Sequence, residues 1–281
     1  MLAAAAFDIL IPTWNNLSFL KCCIESIREN SRLDHRILVF VNEGNDGTED
    51  WLRDKAIEYL SAPDNVGICR AINRLLEITK AENVLYLNDD MYVLPGWDNN
   101  LIGAIPEERL WMLSATMIEP KDTGNPCVLV FDAGSNPQTL QKKRLIQHME
   151  KHERPDWSGS TWPPLLMSRK SWIEAGGLSE EFSPGMYSDP DLAMKLWQIG
   201  CRSFRGVGDS LVYHFQAKST GRVKKNKGRK QFMKKWGITA SAFYHYYLHM
   251  GQSYSGILSK PGNPLALAVN RCRVRLTNWL R

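Results

Sequence analysis

The sequence predicts an α/β protein with a mainly parallel sheet flanked by helices and a basic, partly helical C-terminal extension. Short apolar runs alternate with segments of helical periodicity through the first half of the 281 residues. This alternation is typical of parallel sheets, because each parallel connection needs a crossover helix. Polar and turn-forming residues follow the apolar runs, at the strand ends where such sheets bind ligands. From residue 210 to residue 281 the chain holds 14 Lys and Arg and no Asp or Glu, which marks the extension.

The first half supports this fold element by element. An apolar run ends at Pro12, and leucines and isoleucines at helical spacing follow it, with Asn15 or Asn16 placed to cap the helix. Thr48 is placed to cap the next helix, after a turn-rich segment. The predicted elements are a strand at 7–11, a helix at 17–27, a strand at 36–41, helices from residues 48 and 67, and a strand at 84–87.

The second half is less regular because Pro and Gly interrupt it. Its clearest element is a helix that begins near Asp189, carries apolar residues on one face and ends at Gly200. The predicted elements are strands near 110–118 and 127–133, a basic helix-like stretch within 139–164, a helix at 189–199, and strands at 203–207 and 211–215.

The net charge of +5 is divided unevenly along the chain. The first 209 residues hold 21 basic and 30 acidic residues, a balance of −9, whereas the remaining 72 carry +14. An acidic body suits a site that collects cations, and an acid-free end suits phosphate, an anionic membrane surface or nucleic acid. With 43% hydrophobic and 23% charged residues, the composition excludes disordered, collagen-like and disulfide-scaffold proteins.

The sequence also predicts a cytoplasmic location. No apolar run approaches the roughly 18–20 residues that cross a bilayer, and the N-terminal stretch lacks the basic flank of a signal peptide. The six cysteines form neither a Cys-x-x-Cys motif nor a Cys/His cluster. Reduced thiols and no zinc site are therefore expected.

The strongest chemical signal is Asn88-Asp89-Asp90, which directly follows a buried apolar strand. Adjacent carboxylates repel each other, so this pair costs stability unless a cation or hydrogen-bond donors offset it. A hard divalent metal that also holds a diphosphate is the natural partner. A solvated acidic turn is the alternative interpretation of this tripeptide alone.

Several motifs stand in the order, and close to the spacing, seen in inverting glycosyltransferases of family 2, which the chain resembles from residue 7 to about residue 220. The motifs are Ile11-Pro12-Thr13-Trp14-Asn15, Asn65-Val66-Gly67, Leu85-Tyr86-Leu87-Asn88-Asp89-Asp90, Gly176-Gly177-Leu178, Tyr187-Ser188-Asp189-Pro190-Asp191-Leu192 and the late His214. The resemblance implies a GT-A-type fold with a nucleotide-sugar half at about 1–105, an acceptor half at about 106–220 and the basic extension at 221–281.

The resemblance also implies roles for individual positions. A nucleotide diphospho-sugar, first of all a UDP-sugar, is the implied donor, and Mn²⁺ or Mg²⁺ the implied cofactor. The implied roles are donor nucleotide binding by Pro12, Thr13, Glu43, Asn65, Gly67 and Asp89, metal binding by Asp90 and His214, diphosphate binding by Lys218, and base catalysis by Asp189.

The sequence departs from the family pattern in two places. The turn after the second strand is Asn42-Glu43-Gly44-Asn45, shorter by one residue and less acidic than in the family, which weakens the base-contact role of Glu43. Ser188 stands where the family has an acid before its catalytic Asp, and Pro190 follows it. These changes affect the tuning or placement of Asp189.

The chemistry of inversion fits the implied roles. Displacement at an anomeric carbon needs a carboxylate that takes a proton from the acceptor hydroxyl, and it needs positive charge on the departing diphosphate. Asp189 can supply the first, and a metal on Asp90 with His214 and Lys218 can supply the second. A helix N-cap is the alternative role for Asp189, and a strand-end histidine without function is the alternative for His214.

The predicted function is that of a metal-dependent inverting hexosyl- or related glycosyltransferase that extends a cell-surface glycan or lipid-linked saccharide. A sugar-phosphate nucleotidyltransferase is one alternative, but it needs a Gly-rich, basic loop after the first strand, and residues 12–16 lack it. A nucleic-acid-binding protein driven by the basic end is another, but it leaves Asn88-Asp89-Asp90 and Asp189 unexplained.

The basic end suggests a further partner. Aromatic residues crowd residues 243–254, and apolar residues interleave with three arginines between Leu265 and Leu280. This composition suits a helix that lies in an anionic interface, so a peripheral protein on the inner face of a membrane is expected. Packing of this segment on the catalytic body is the alternative.

Overall fold

A computed structural model describes residues 6–151, 153–216 and 226–279. A single mixed sheet lies at the centre of this part of the chain. Its strands are β1 (Asp8–Trp14), β2 (Arg36–Asn42), β3 (Glu58–Ala62), β4 (Asn83–Tyr86), β5 (Met91–Val93), β6 (Trp111–Glu119), β7 (Leu129–Val130), β8 (Trp157–Ser158), β9 (Leu165–Ser168) and β10 (Ser203–His214).

The sheet has a parallel half and a mixed half. The strand order is β3-β2-β1-β4-β9-β6-β10-β5, with β7 beside β6 and β8 beside β10. Strands β3, β2, β1 and β4 are all parallel, as predicted for the first half. Strand β9 is antiparallel to both of its neighbours, and β10 runs parallel to β6 but antiparallel to β5. The prediction of a mainly parallel α/β sheet is confirmed.

Helices cover both faces of the sheet, so the central strands are buried along most of their length. The helices are α1 (Leu17–Asn30), α2 (Thr48–Asp54), α3 (Gly67–Glu77), α4 (Trp97–Gly103), α5 (Lys142–Met149), α6 (Arg169–Glu174), α7 (Ser188–Gln198), α8 (Gly228–Trp236), α9 (Ala240–Tyr246) and α10 (Leu265–Trp279). Residues 9–11 of β1 are fully buried because both faces of the strand are covered. All three are therefore apolar, and the strand does not alternate apolar with polar side chains.

The structure corrects the predicted strands of the second half. The two short strands predicted at 203–207 and 211–215 are one strand, β10, which pairs with β6 through a register shift between Val207 and Leu211. A bulge accommodates the extra residues, so turn-like Gly208 and Asp209 do not end the strand. Strand β3 and helix α4 were missed, because both are short and have no clear periodicity.

The C-terminal part, residues 226–279, packs on the rest of the protein. Phe232 of α8 and Phe243 of α9 are fully buried in the main hydrophobic core. Trp236 Nε1 and Lys235 Nζ each lie 2.9 Å from Asp191 Oδ1 in α7. The division of the chain near residue 220 remains a prediction. No helix in the described ranges is both long and apolar enough to cross a membrane.

Candidate active site

A cavity of about 750 Å³ opens where several strands of the sheet end. Its wall includes residues from the carboxyl ends of β1, β2, β6 and β10 and from the loop after β4. The start of α7 and part of α9 complete the wall. The cavity therefore occupies the position where open α/β sheets bind ligands.

Most of the predicted site residues line this one cavity. Two predicted residues are not among the described residues that line it. Glu43 is not among the described residues of the cavity wall, and Lys218 lies outside the described residues. The predicted residues that line the cavity are Pro12, Thr13, Asn65, Gly67, Asp89, Asp90, Asp189 and His214.

Asp89 is fixed by the first strand. Thr13 Oγ1, at the end of β1, donates a 2.7 Å hydrogen bond to Asp89 Oδ2. Strands β1 and β4 are paired in register, so their carboxyl ends come together and place the two side chains side by side. This bond holds the Asp89 carboxylate at the surface of the cavity.

A second polar group joins Asp90, His214 and Glu119. His214 Nε2 lies 3.4 Å from Asp90 Oδ2, and His214 Nδ1 lies 2.8 Å from Glu119 Oε1. The antiparallel pairing of β10 with β5 sets His214 opposite Met91, directly after Asp90. Phe215 N then donates a 3.1 Å bond to the Asp90 carbonyl, which fixes the register.

The electrostatics of this group favour a cationic imidazole. Burial alone would lower the pKa of His214, but the carboxylates of Asp90 and Glu119 outweigh it and raise that pKa to about 10. Thr123 Oγ1 donates to the other oxygen of Glu119 over 3.1 Å, so the acid itself is held in place. Each ring nitrogen of His214 therefore faces one carboxylate, Nε2 that of Asp90 and Nδ1 that of Glu119.

Sequence reasoning missed Glu119. The residue ends a strand that was predicted, but nothing in the sequence indicated that β10 would lie beside β6 and bring His214 to it. The available signal was that Glu119 directly follows the apolar strand predicted near 110–118, just as Asp90 follows the strand predicted at 84–87.

Asp189 lies on another wall of the cavity, in the first turn of α7. The N-cap position of this helix is Tyr187, so Asp189 does not cap it. Burial raises the pKa of Asp189 to about 7, and a hydrogen bond from Ser188 only partly opposes that rise. A carboxylate with this pKa can take up a proton near neutral pH.

Asp191, two residues further along α7, has a different environment. It is fully buried and accepts hydrogen bonds from Ser179 Oγ at 2.6 Å and Trp236 Nε1 at 2.9 Å. It also pairs with the ammonium group of Lys235. The two acids of this motif are thus divided, since Asp189 faces the cavity and Asp191 fastens α8 to α7.

The turn after β2 departs from the predicted arrangement. Asn42 lines the cavity, donates from Nδ2 to the Thr13 carbonyl over 3.2 Å and accepts from Val66 N over 3.0 Å. Glu43 has a positive φ of 65° and accepts a 2.9 Å bond from Asn15 Nδ2. Asn42 is therefore the residue through which this turn reaches the cavity.

Gly67 lies at the start of α3 and packs against the loop before α7. Its φ of +80° is a left-handed conformation that favours glycine, and a Cβ there would come within 3.1 Å of the Pro184 backbone. Asn65 Oδ1 accepts from Gly67 N over 2.9 Å and holds this turn. The glycine therefore allows the loop before α7 to pack closely against the start of α3.

The C-terminal part contributes residues that the sequence did not indicate. Ser241 and Tyr244 of α9 line the cavity, and burial raises the pKa of the Tyr244 hydroxyl. Trp162 also lines it and stacks on the buried Trp157 at a ring distance of 5.7 Å. Aromatic rings thus form part of the cavity wall.

Comparison with known families agrees with this geometry. Residues 8–176 match the model of Glycosyl transferase family 2, which is more than half of the chain. The chain belongs to glycosyl transferase family 2. The predicted recognition is confirmed, and neither the nucleotidyltransferase nor the nucleic-acid-binding alternative receives support.

This member of glycosyl transferase family 2 has distant relatives of greater length. The Bacillus subtilis (strain 168) protein named glycosyltransferase EpsH is 24% identical over 182 residues, which are 62% of this chain and 50% of that protein. A Sinorhizobium fredii (strain NBRC 101917 / NGR234) protein, the uncharacterized y4gI, is 22% identical over 226 residues, covering 76% of this chain and 25% of that protein. The chain thus spans half or less of the length of these relatives.

Solved structures show that the family 2 glycosyltransferase has a GT-A-type fold. TarS of S. aureus, residues 1–349, gives a TM-score of 0.55 at 15% identity, covering 74% of this chain and 60% of TarS 1–349. GalNAc-T7, crystallised with UDP, GalNAc and Mn²⁺, gives a TM-score of 0.59 at 14% identity, covering 88% of this chain and 51% of its own. The predicted fold class is confirmed.

Proposed function

We propose that this protein transfers a hexosyl or related sugar from a nucleotide diphospho-sugar to a hydroxyl of a glycan or lipid-linked saccharide, with inversion at the anomeric carbon. One observation carries the proposal. The Asp90–His214 pair and the partly exposed Asp189 line the same cavity. A single displacement needs two functions in one site, namely stabilisation of the diphosphate that leaves the donor and a base for the hydroxyl of the acceptor.

The donor would bind along β1 and the loops after β2, β3 and β4. In this proposal Pro12, Thr13, Asn65 and Gly67 border the nucleoside, and Asp89 accepts from a hydroxyl of the ribose or the donor sugar. A UDP-sugar is the first donor to test. TarS has been crystallised with UDP-GlcNAc and GalNAc-T7 with UDP and GalNAc, which supports that choice.

The residues beside Asp90 fit a divalent cation that a diphosphate helps to hold. Among the described residues no group of three or more His, Cys, Asp and Glu side chains is arranged to hold a metal alone. Mg²⁺ and Mn²⁺ sites in phosphate enzymes often use one or two protein ligands and complete their shell with substrate phosphates. Asp90 would supply one such ligand, and His214 a second after its imidazole releases a proton, while Glu119 would orient the ring.

When bound, Mn²⁺ or Mg²⁺ would supply positive charge to the leaving diphosphate. Asp90 and His214 would hold it, and Lys218, beyond the described residues, remains a prediction for direct contact with the diphosphate. The role of this chain is then to hold the diphosphate at the Asp90 end of the cavity and to aim the anomeric carbon at Asp189.

Asp189 would accept the proton of the acceptor hydroxyl as the new bond forms. Its pKa of about 7 places the residue near the optimum for a general base at neutral pH. Desolvation raises the pKa of Asp189 because it disfavours the charged form, so the carboxylate binds the proton of the acceptor more strongly than an exposed carboxylate would. The acceptor sugar could stack on the aromatic side chains of Trp162 and Tyr244 in the adjoining wall.

Cell-surface polysaccharides and lipid-linked saccharides are assembled at membranes. The predicted peripheral location at the inner face of a membrane therefore belongs to this proposal, as does the choice of a cell-surface glycan as acceptor.

Donor hydrolysis tests the proposed function without a known acceptor. A panel of nucleotide-sugars would be incubated with protein and Mn²⁺, and the release of nucleoside diphosphate measured over hours. We expect one donor to be hydrolysed, and Asp189→Asn to abolish that hydrolysis. The matched control is Asp64→Asn, which changes an exposed aspartate outside the cavity wall. Hydrolysis of no donor, or equal rates in both variants, would contradict the proposal.

A further inference from the structure

Helix α10 presents an apolar stripe to solvent. The exposed fractions of its large apolar residues are 81% for Leu265, 39% for Val269, 59% for Leu276 and 82% for Trp279. At 100° per residue these four side chains fall within an arc of about 80°. The stripe runs for about 21 Å along the helix, because each residue adds about 1.5 Å.

The opposite side of α10 fixes the rotation of the helix. Leu267 and Val274 are buried and lie about 180° from the centre of the stripe. Thr239 N donates to Asn270 Oδ1 over 3.2 Å, and Arg271 donates to the Tyr247 hydroxyl over 3.0 Å. These contacts hold the helix on α8 and α9, so the stripe points away from the protein.

Two arginines flank the stripe. Arg273 and Arg275 are exposed and lie about 80° to either side of its centre. Neither makes an ion pair in the described parts of the chain. The described C-terminal part, residues 226–279, contains nine Lys and Arg and no Asp or Glu. Charge complementarity therefore favours an anionic partner over a neutral or a cationic one.

We infer that this face of α10 docks the protein on an anionic lipid surface. An apolar stripe with cations at its borders matches the geometry of an interfacial helix, whose apolar side enters the acyl boundary while the cations meet headgroups. Trp279 suits the interface, because its ring is apolar and its indole N–H can meet water or a headgroup. Helix α10 would then be the part of the protein that contacts the membrane in the proposed peripheral location.

Co-sedimentation with vesicles tests this docking directly. The full chain is mixed with phosphatidylcholine vesicles that contain or lack phosphatidylglycerol, without donor or metal. Because no catalysis is measured, failure of the docking can be distinguished from failure of the proposed function. We expect binding to the anionic vesicles only, and a decrease in binding as salt is raised. Equal binding to both kinds of vesicle, or to neither, would overturn the inference.

Two pairs of substitutions separate the apolar from the charged contribution. Leu276→Ser with Trp279→Ser, and Arg273→Gln with Arg275→Gln, should each lower the vesicle partition coefficient by about tenfold or more. Arg28→Gln with Lys170→Gln removes the same charge from exposed positions outside the C-terminal part and should change it less than about twofold. An equal loss in this control would show attraction by net charge alone.

Cys272 allows a test on the unsubstituted chain. It is exposed and lies in the middle of the stripe, whereas the other five cysteines are buried. A fluorophore that responds to solvent polarity, attached to Cys272, should shift to the blue when anionic vesicles are added. The same probe on Lys170→Cys with Cys272→Ser should not shift. An unshifted probe at Cys272 would overturn insertion of the stripe.

A second copy of the chain is the competing occupant of the stripe. Light scattering over a range of protein concentrations would detect it. A dimer that forms in solution and is lost in Leu276→Ser with Trp279→Ser would assign the face to self-association and overturn the membrane inference. A monomer that binds anionic vesicles supports it.

Discussion

Glu119 Oε1 lies 2.8 Å from His214 Nδ1, which leaves the other ring nitrogen facing Asp90. The acid thereby sets the orientation of an imidazole on a separate strand. Glu119→Gln should lower the affinity for Mn²⁺ in the presence of nucleoside diphosphate by about 10- to 100-fold, as the loss of an outer partner typically does. Calorimetric titration would measure it. Glu107→Gln, at an exposed glutamate, is the control, and an equal effect there would contradict the positioning role.

The metal proposal predicts a nucleotide affinity that depends on the cation. The unsubstituted protein should bind the nucleoside diphosphate much more tightly with Mn²⁺ than with a chelator. Asp90→Ala should abolish this difference while its thermal unfolding remains cooperative. Calorimetry with and without chelator measures both effects. Equal affinity of the unsubstituted protein in the two conditions would remove the metal from the account.

If Asp189 is the base, the rate of donor hydrolysis should depend on pH in a specific way. A base with a pKa of about 7 is protonated below that pH, so donor hydrolysis should fall by about tenfold per pH unit as the pH drops below about 7. Asp189→Asn should lower the rate by several powers of ten and change nucleotide affinity only a few-fold. A rate that is constant between pH 5 and 8 would assign the base to another group.

The same pKa predicts a change in stability with pH. The folded-state pKa of Asp189 is raised from its ordinary value of 3.8 to about 7, so the folded protein binds more protons than the unfolded chain between these values. Its free energy of unfolding therefore falls as pH rises through this window. Asp189→Asn removes that loss and should be more stable than the unsubstituted protein at pH 8, by a few kcal/mol at most. Thermal melts at pH 4 and pH 8 measure it, and an Asn variant that is less stable at pH 8 would contradict the burial argument.

Asp191 predicts a structural effect instead of a catalytic one. Asp191→Ala leaves the Trp236 Nε1 donor and the ammonium group of Lys235 without their buried carboxylate, so it should destabilise the protein by about 3 kcal/mol or more. Glu181→Gln removes an exposed partner of the same lysine and should cost less than about 1 kcal/mol. Urea unfolding of the two variants gives the comparison. Equal decreases in the free energy of unfolding would show that burial of Asp191 does not determine its contribution to stability.

Local sequence pattern predicted the parts of the site that follow a single strand or begin a helix. Asn88-Asp89-Asp90 follows an apolar run, and Asp189 stands at the start of an amphipathic helix, so both could be placed without knowledge of tertiary contacts. The order of motifs then supplied their roles by resemblance to a family.

Contacts between distant segments could not be predicted in this way. Glu119 meets His214 only because β6 and β10 are neighbours in a sheet whose order differs from the chain order. Tyr244 reaches the cavity because Phe243 packs in the main core and Asp191 holds α8 against α7. Neither arrangement leaves a periodicity in the sequence, since each depends on contacts between segments that are far apart in the chain.

The anomeric configuration of the first product tests the central claim most directly. Proton NMR can follow the hydrolysis of an α-linked UDP-sugar and record which anomer of the free sugar appears before mutarotation mixes the two. Attack by a water molecule held at Asp189, on the face opposite the diphosphate, predicts that the β anomer appears first. Initial release of the α anomer would contradict single displacement, and with it the role assigned to Asp189.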